Sequence, residues 1–193
     1  MGVLLSLGCA ALYSCDKDPE IIIEKEYITV HDTIVLLDTI IETVYQGVSD
    51  TATTFLLLRH AETSGAGSNP SLSAAGTARA DELRRMLGPL SISAIYATNF
   101  NRTMQTVQPV AGEKGLTIQQ YDPFAPIPLI DQSLNAFPKG VVLIVGHSNT
   151  VPAFLNAMTG TNTYADLPET EYDNLFIVHV TARGEATVTH VKY

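Results

Sequence analysis

Two runs of the chain show no polar alternation, and each ends in a histidine: "TFLLLRH", Thr54 to His60, and "VVLIVGH", Val141 to His147. A strand with one face in water alternates polar and apolar residues. A strand without alternation is buried on both faces, which is how the strands of a helix-covered parallel sheet read. These two runs therefore demand a layer of helices on each side of them. The intervening sequence supplies candidates. Ser73 can cap a helix with an apolar stripe at Leu72, Gly76, Ala80, Leu83 and Leu87, stopped by Gly88-Pro89. "AIYAT" reads as a short strand, a helix follows from near Arg102, and "LTIQQY" reads as a third strand. "NTVPAFLNAMTG" reads as a helix with Pro152 in its first turn and Gly160 after its end. "NLFIVHV" and "ATVTHVKY" read as closing strands, antiparallel through a turn at Arg183-Gly184. The fold class expected is α/β, a three-layer α/β/α sandwich with a largely parallel central sheet.

The chain before Thr53 has a different character. Residues 1–15, "MGVLLSLGCAALYSC", are apolar and too short to span a bilayer, and they resemble a bacterial lipoprotein signal. That resemblance implies cleavage before Cys15 and lipidation of it, with Cys9 a weaker alternative. Residues 16–52 form an acidic segment rich in Ile, Val and Thr, with nine acidic and two basic side chains. It reads as a tether or stalk, with His31 an exposed stalk residue. Residues 53–193 form the globular domain. Most of the formal net charge of -9 sits in the stalk, and no basic footprint for a nucleic acid is present. The expected location is the bacterial cell envelope, with membrane contact only through the lipid anchor. Neither of the two cysteines lies in the globular part, which excludes a cysteine nucleophile or thiolate metal site there.

Ligands of open α/β sheets bind beyond the carboxyl ends of the strands. The residues that follow the four strands in turn are Arg59 and His60, then Asn99 and Arg102, then Asp122, then His147, Ser148 and Asn149. Two arginines, two histidines and a carboxylate would thus meet at one edge. Paired guanidinium forks suit an anion with several oxygens, phosphate above all. The helix opening near Thr150 would add backbone N–H groups behind His147. Candidates for the nucleophile are His60, Ser148 or an activated water. A histidine beside arginines is held neutral, with a lone pair available for attack on phosphorus. Asp122 is placed to protonate a leaving oxygen. The arginines oppose a cation between His60 and His147, so no metal and no cofactor is expected. His179 and His190, in the closing strands, are expected to pack.

"LLLRHAET" resembles the arginine-histidine motif of the histidine phosphatase superfamily, which includes the phosphoglycerate mutases. "LSAAG", "NFNRTMQT" and "VGHSNT" resemble its later motifs, in the same order, and the resemblance spans Thr53 to Tyr193. It implies a phosphoglycerate mutase-like fold, His60 as the phosphorylated nucleophile, and Arg59, Arg102 and His147 as the phosphate clamp. In that family the proton donor lies between the second arginine and second histidine, where Asp122 and Asp131 are the carboxylates; Asp122 directly follows a strand. Glu62 and Asn149 are possible secondary members of the site.

The function expected is hydrolysis of phosphate monoesters, or of phosphohistidine, on a small metabolite or a phosphoprotein. A mutase that returns the phosphate, or a surface protein that binds phosphate without turnover, are the alternatives. Only 17 residues separate Met104 from Asp122. This leaves little chain for an enclosing lid and favours access of water.

Overall fold

A computed structural model describes residues 52–65 and 67–193. The signal-like start with Cys9 and Cys15, and the stalk with His31, lie outside the described residues.

Six strands form one sheet: β1 (Thr53–Arg59), β2 (Ala94–Ala97), β3 (Ile118–Gln120), β4 (Val141–Gly146), β5 (Asn174–Ala182) and β6 (Glu185–Lys192). Their spatial order is β3-β2-β4-β1-β5-β6. The β2–β3, β2–β4 and β1–β4 pairings are parallel, and β1–β5 and β5–β6 are antiparallel. The two apolar runs are therefore the neighbouring strands at the centre, as their lack of alternation requires. Every residue of β1 and β4 is buried.

Among the described residues, four helices cover the sheet: α1 (Ala74–Leu87), α2 (Asn101–Lys114), α3 (Pro126–Ala136) and α4 (Thr150–Thr159). Successive residues of β1 point to opposite faces, so it feeds two cores. Leu56 and Leu58 pack with Leu83, Met86 and Leu87 of α1 and Val107 and Val110 of α2. Phe55 and Leu57 pack with Leu129 and Ile130 of α3 and Val151, Phe154, Leu155 and Met158 of α4. Each fully buried leucine or phenylalanine of this set contributes about 1.5–3 kcal/mol relative to exposure. The three-layer α/β/α reading holds.

Local signals act where the sequence places them. Ser73 Oγ accepts a hydrogen bond from Gly76 N at 3.1 Å and starts α1. Gly76 itself touches the backbone after His60: a Cβ there would lie 2.1 Å from the Glu62 carbonyl oxygen. Any side chain at that position pushes α1 off the segment that carries the site. Gly160, at φ 67°, ends α4 in the left-handed conformation. One element is not foreseen by the pattern. Helix α3, for which the sequence reading makes no assignment, begins at Pro126; Pro126 and Pro128 fall in its first turn where no intrahelical N–H is needed. The third strand is only three residues long and partly exposed, because it forms the sheet edge.

His179 and His190 pack, as expected. His179 is buried with Nδ1 2.9 Å from Thr54 Oγ1. His190 stacks on Phe176, its Nε2 2.8 Å from Asn174 Oδ1.

Candidate active site

The register of the central pair builds the floor of the site. Arg59 of β1 lies beside Gly146 of β4. His60 and His147, one residue further on each strand, therefore leave the sheet side by side, with ring centroids 5.4 Å apart and nearly at right angles. The chain after β1 turns to the face covered by α1 and α2, and the chain after β4 turns to the face of α4. The crevice opens where these connections part.

His60 is buried, and its backbone N–H donates to the Gly146 carbonyl at 3.0 Å. Its Nδ1 lies 2.8 Å from the Ala61 carbonyl oxygen. A carbonyl only accepts, so Nδ1 carries the hydrogen and Nε2 keeps its lone pair. Burial, above all, lowers the pKa of His60 to about 4; the Ala61 carbonyl and Glu169 oppose this, and Arg59 and Arg102 reinforce it. The neutral state expected from the sequence is present, but desolvation is its leading cause and the arginines come second.

His147 is half-buried. Its Nδ1 is 3.4 Å from Arg102 Nη2, a long contact, and its Nε2 is 2.9 Å from Thr98 Oγ1. An arginine nitrogen only donates, so Nδ1 accepts and Nε2 donates to Thr98. Thr98 is fully buried and locked in turn to Thr103 at 3.0 Å. Burial lowers the pKa of His147 to about 4, helped by Arg102, His60 and Arg59 and opposed by Glu169. The Phe100 ring meets His147 edge-on at 5.2 Å. It also lies under the Arg102 guanidinium at 4.4 Å, so one aromatic ring positions two site residues.

Arg59 and Arg102 both reach the crevice and differ in support. Arg59 is buried. Its Nη1 donates to the carbonyls of Pro168 (2.9 Å) and Glu171 (3.2 Å), its Nη2 donates to Glu169 Oε2 (2.5 Å), and the Tyr172 ring stacks on it at 4.3 Å. Its Nε is buried and has no hydrogen-bond partner among the described residues. Arg102 is half-exposed, and burial followed by the like charge of Arg59 lowers its pKa.

The other sequence candidates fall outside this group. Asp122 is exposed, and its Oδ1 accepts from Phe124 N at 2.9 Å; its carboxylate makes no other hydrogen bond or ion pair among the described residues. Asp131, on α3, pairs with Arg183 at 3.0 Å. Glu62 is held by the Arg79 guanidinium, with contacts of 2.7 to 3.1 Å, and this pairing lowers its pKa. It ties the segment after β1 to α1. Asn149 is exposed, and its side chain does not cap α4.

The carboxylate that the structure does bring to the histidines is Glu169. One oxygen takes the Arg59 contact, and the other accepts from Ser148 Oγ at 2.6 Å. Glu169 sits on the segment 161–173 between α4 and β5, together with Pro168, Glu171 and Tyr172. This segment carries no periodic pattern. The topology nonetheless held a signal for it: an antiparallel β5 must start at the edge where the parallel strands end, so the residues before Asn174 must pass the site. Among the described residues, no three His, Cys, Asp or Glu side chains gather as a metal ligand set.

Residues 55–125 match the histidine phosphatase superfamily, branch 1. No curated protein sequence matches the chain. Solved structures with the same fold include the protein histidine phosphatase SixA complexed with tungstate, with TM-score 0.59, 15% identity, 72% of this chain and 96% of that one. A mycobacterial glucosyl-3-phosphoglycerate phosphatase superposes with TM-score 0.59 at 14% identity, over 71% of this chain and 97% of its own. A mycobacterial hydrolase superposes with TM-score 0.60 at 12% identity, over 74% of this chain and 98% of its own. The phosphoglycerate mutase-like fold expected from the motifs is the fold observed.

Proposed function

We propose, from the match of residues 55–125 to the histidine phosphatase superfamily, that the chain hydrolyses phosphate monoesters through a phosphohistidine on His60. A histidine-type phosphatase is the enzyme class that the family and the fold neighbours share. The observation that carries the reading is the state of His60: neutral, with Nδ1 committed to a carbonyl and the Nε2 lone pair available between two arginines.

A phosphoryl group entering the crevice meets Arg59 below and Arg102 at the side. The buried Nε of Arg59, without a hydrogen-bond partner among the described residues, is a further donor for such an anion. His60 Nε2 attacks phosphorus in line, and the bond to the leaving oxygen breaks. Water then attacks the phosphohistidine and releases phosphate. His147 lies against Arg102, and a bound anion raises its pKa so that it can donate to a phosphoryl oxygen. The guanidinium charges and the fixed geometry supply most of the acceleration, so the reaction needs no metal.

The substrate class is read from the short connection between Met104 and Asp122, which leaves little chain for an enclosing lid. On this reading the site accepts a phosphoryl group carried by a small metabolite or by a protein side chain, and the lack of a lid favours attack by water over return of the phosphate. The test is turnover of p-nitrophenyl phosphate with and without EDTA, joined to trapping of the phosphoenzyme at alkaline pH. Hydrolysis that resists EDTA, with label on His60, is expected. Phosphate binding without turnover would instead make the protein a binding module.

A further inference from the structure

The carboxylate bound to the site's buried arginine is not the one that the motif order points to. Asp122 is turned to the Phe124 backbone and touches no member of the floor. Glu169 bridges the buried guanidinium of Arg59 and the hydroxyl of Ser148, the residue after His147. Its side chain is 77% exposed while that of Arg59 is 4% exposed, so the carboxylate lies on the open side of the anion-binding donors. That is the side on which the rest of a substrate must project. The backbone on either side of it is held: Pro168 and Glu171 carbonyls accept from Arg59, and Leu167 N donates to the Ser148 carbonyl at 2.9 Å.

We propose that Glu169 is the general acid of the phosphatase reaction, and that in the unliganded enzyme its carboxylate sits on Arg59 in place of a phosphoryl oxygen. This rests on the phosphatase reading above. An incoming phosphate takes over the Arg59 Nη2 contact and displaces the carboxylate, which stays tethered beside Ser148. In the free enzyme Ser148, first, and then Arg59 hold the Glu169 carboxyl below the usual range. Exchange of the arginine for a phosphate dianion reverses that influence, and the carboxyl takes up a proton from water. In the first step, His60 Nε2 forms the N–P bond, the P–O bond to the leaving group breaks, and the leaving oxygen receives both that electron pair and the Glu169 proton. In the second step, Glu169 takes a proton from the attacking water, the water oxygen bonds to phosphorus, and the N–P electron pair returns to Nε2. The carboxyl ends protonated, as it stood in the substrate complex, and returns that proton to water when phosphate leaves and Arg59 takes the carboxylate back.

A proton donor reveals itself by leaving-group dependence. p-Nitrophenyl phosphate releases a phenolate that needs no proton, whereas glycerol phosphate releases an alkoxide that does. Glu169→Gln is expected to lower kcat on glycerol phosphate by about 10²-fold or more while changing turnover of p-nitrophenyl phosphate only a few-fold. Asp122→Asn, a control of the same chemistry, is expected to leave both rates unchanged. Equal losses on both esters in Glu169→Gln, no loss on glycerol phosphate, or the selective loss appearing in Asp122→Asn instead would each overturn the assignment. Wild-type protein that hydrolyses neither ester would overturn the phosphatase reading and this proposal with it. Wild-type turnover combined with any of the earlier outcomes would overturn the proposal alone.

Discussion

The floor of the site and its rim are made by different means. Arg59, His60 and His147 stand at the ends of two neighbouring central strands, and the β1–β4 ladder sets their spacing. Glu169 and Tyr172 stand on a segment without regular structure, held to the floor by hydrogen bonds to Arg59 and Ser148. The floor is fixed by burial on both faces. The rim is fixed by what it grips. The floor therefore carries the chemistry that must not vary, and the rim is where proton delivery and access to substrate can be adjusted.

The largest effect should come from the floor. His60→Ala is expected to lower kcat on the order of 10⁴-fold or more, with no phosphohistidine trapped and the melting temperature nearly unchanged. Residual activity close to wild type would move the nucleophile to the rim and break the division.

Arg59 belongs to both regions, and its removal should show as both. Arg59→Ala is expected to cost about 10²–10³-fold in kcat/KM, the scale of losing a preorganised donor to transition-state charge. It also leaves the Pro168 and Glu171 carbonyls without their donor, so amide hydrogen exchange at Leu167 should accelerate in the same variant. Arg59→Lys should restore neither, since an ammonium cannot reach two carbonyls and a carboxylate at once. A loss of activity with unchanged exchange at Leu167 would separate rim from floor completely.

Gly76→Ala tests the support beneath the floor. The added Cβ meets the Glu62 carbonyl at 2.1 Å, and the expected cost is about 1–3 kcal/mol of stability, read from the denaturant midpoint. The loss of activity should track the loss of folded protein, since Gly76 touches no reacting group.

The smallest effect is a slope with pH. His60 and His147 have folded pKa values of about 4 against an ordinary histidine value of 6.5. Above pH 6.5 both are neutral, folded or unfolded, and neither contributes a slope. As pH falls from 6.5 toward 4 the unfolded chain takes up two protons that the folded chain refuses, so stability falls through that window and levels off below it. His60→Asn is expected to remove about half of that slope in melting temperature against pH. An unchanged slope would mean that the buried histidines do not set it.

The same division explains how much was legible beforehand. An unbroken apolar run has one stable use, so β1 and β4, and the residues directly after them, could be read from the sequence. Ser73, Gly76 and Gly160 could be read because each meets a local steric or hydrogen-bonding demand. Helix α3 was hidden because proline signals a loop by frequency and permits a first turn by geometry. Glu169 was hidden for a deeper reason. Its place depends on contacts made more than a hundred positions away in sequence, by Arg59, and no local pattern encodes them. Only the antiparallel direction of β5, read as a constraint on where the preceding chain must run, pointed toward it. Glu62 illustrates the converse: close to His60 in sequence, it is occupied by Arg79.

The ladder between Arg59 and Gly146 has one more consequence. Strands that share hydrogen bonds can shift against each other only in whole residues, about 3.3 Å at a time, and each single step turns a side chain to the opposite face. The backbone register that places His60 beside His147 thus changes only in such whole steps. Heat or crowding cannot shift that register by fractions, and the protein either keeps the two histidine backbones side by side or loses the arrangement with the sheet.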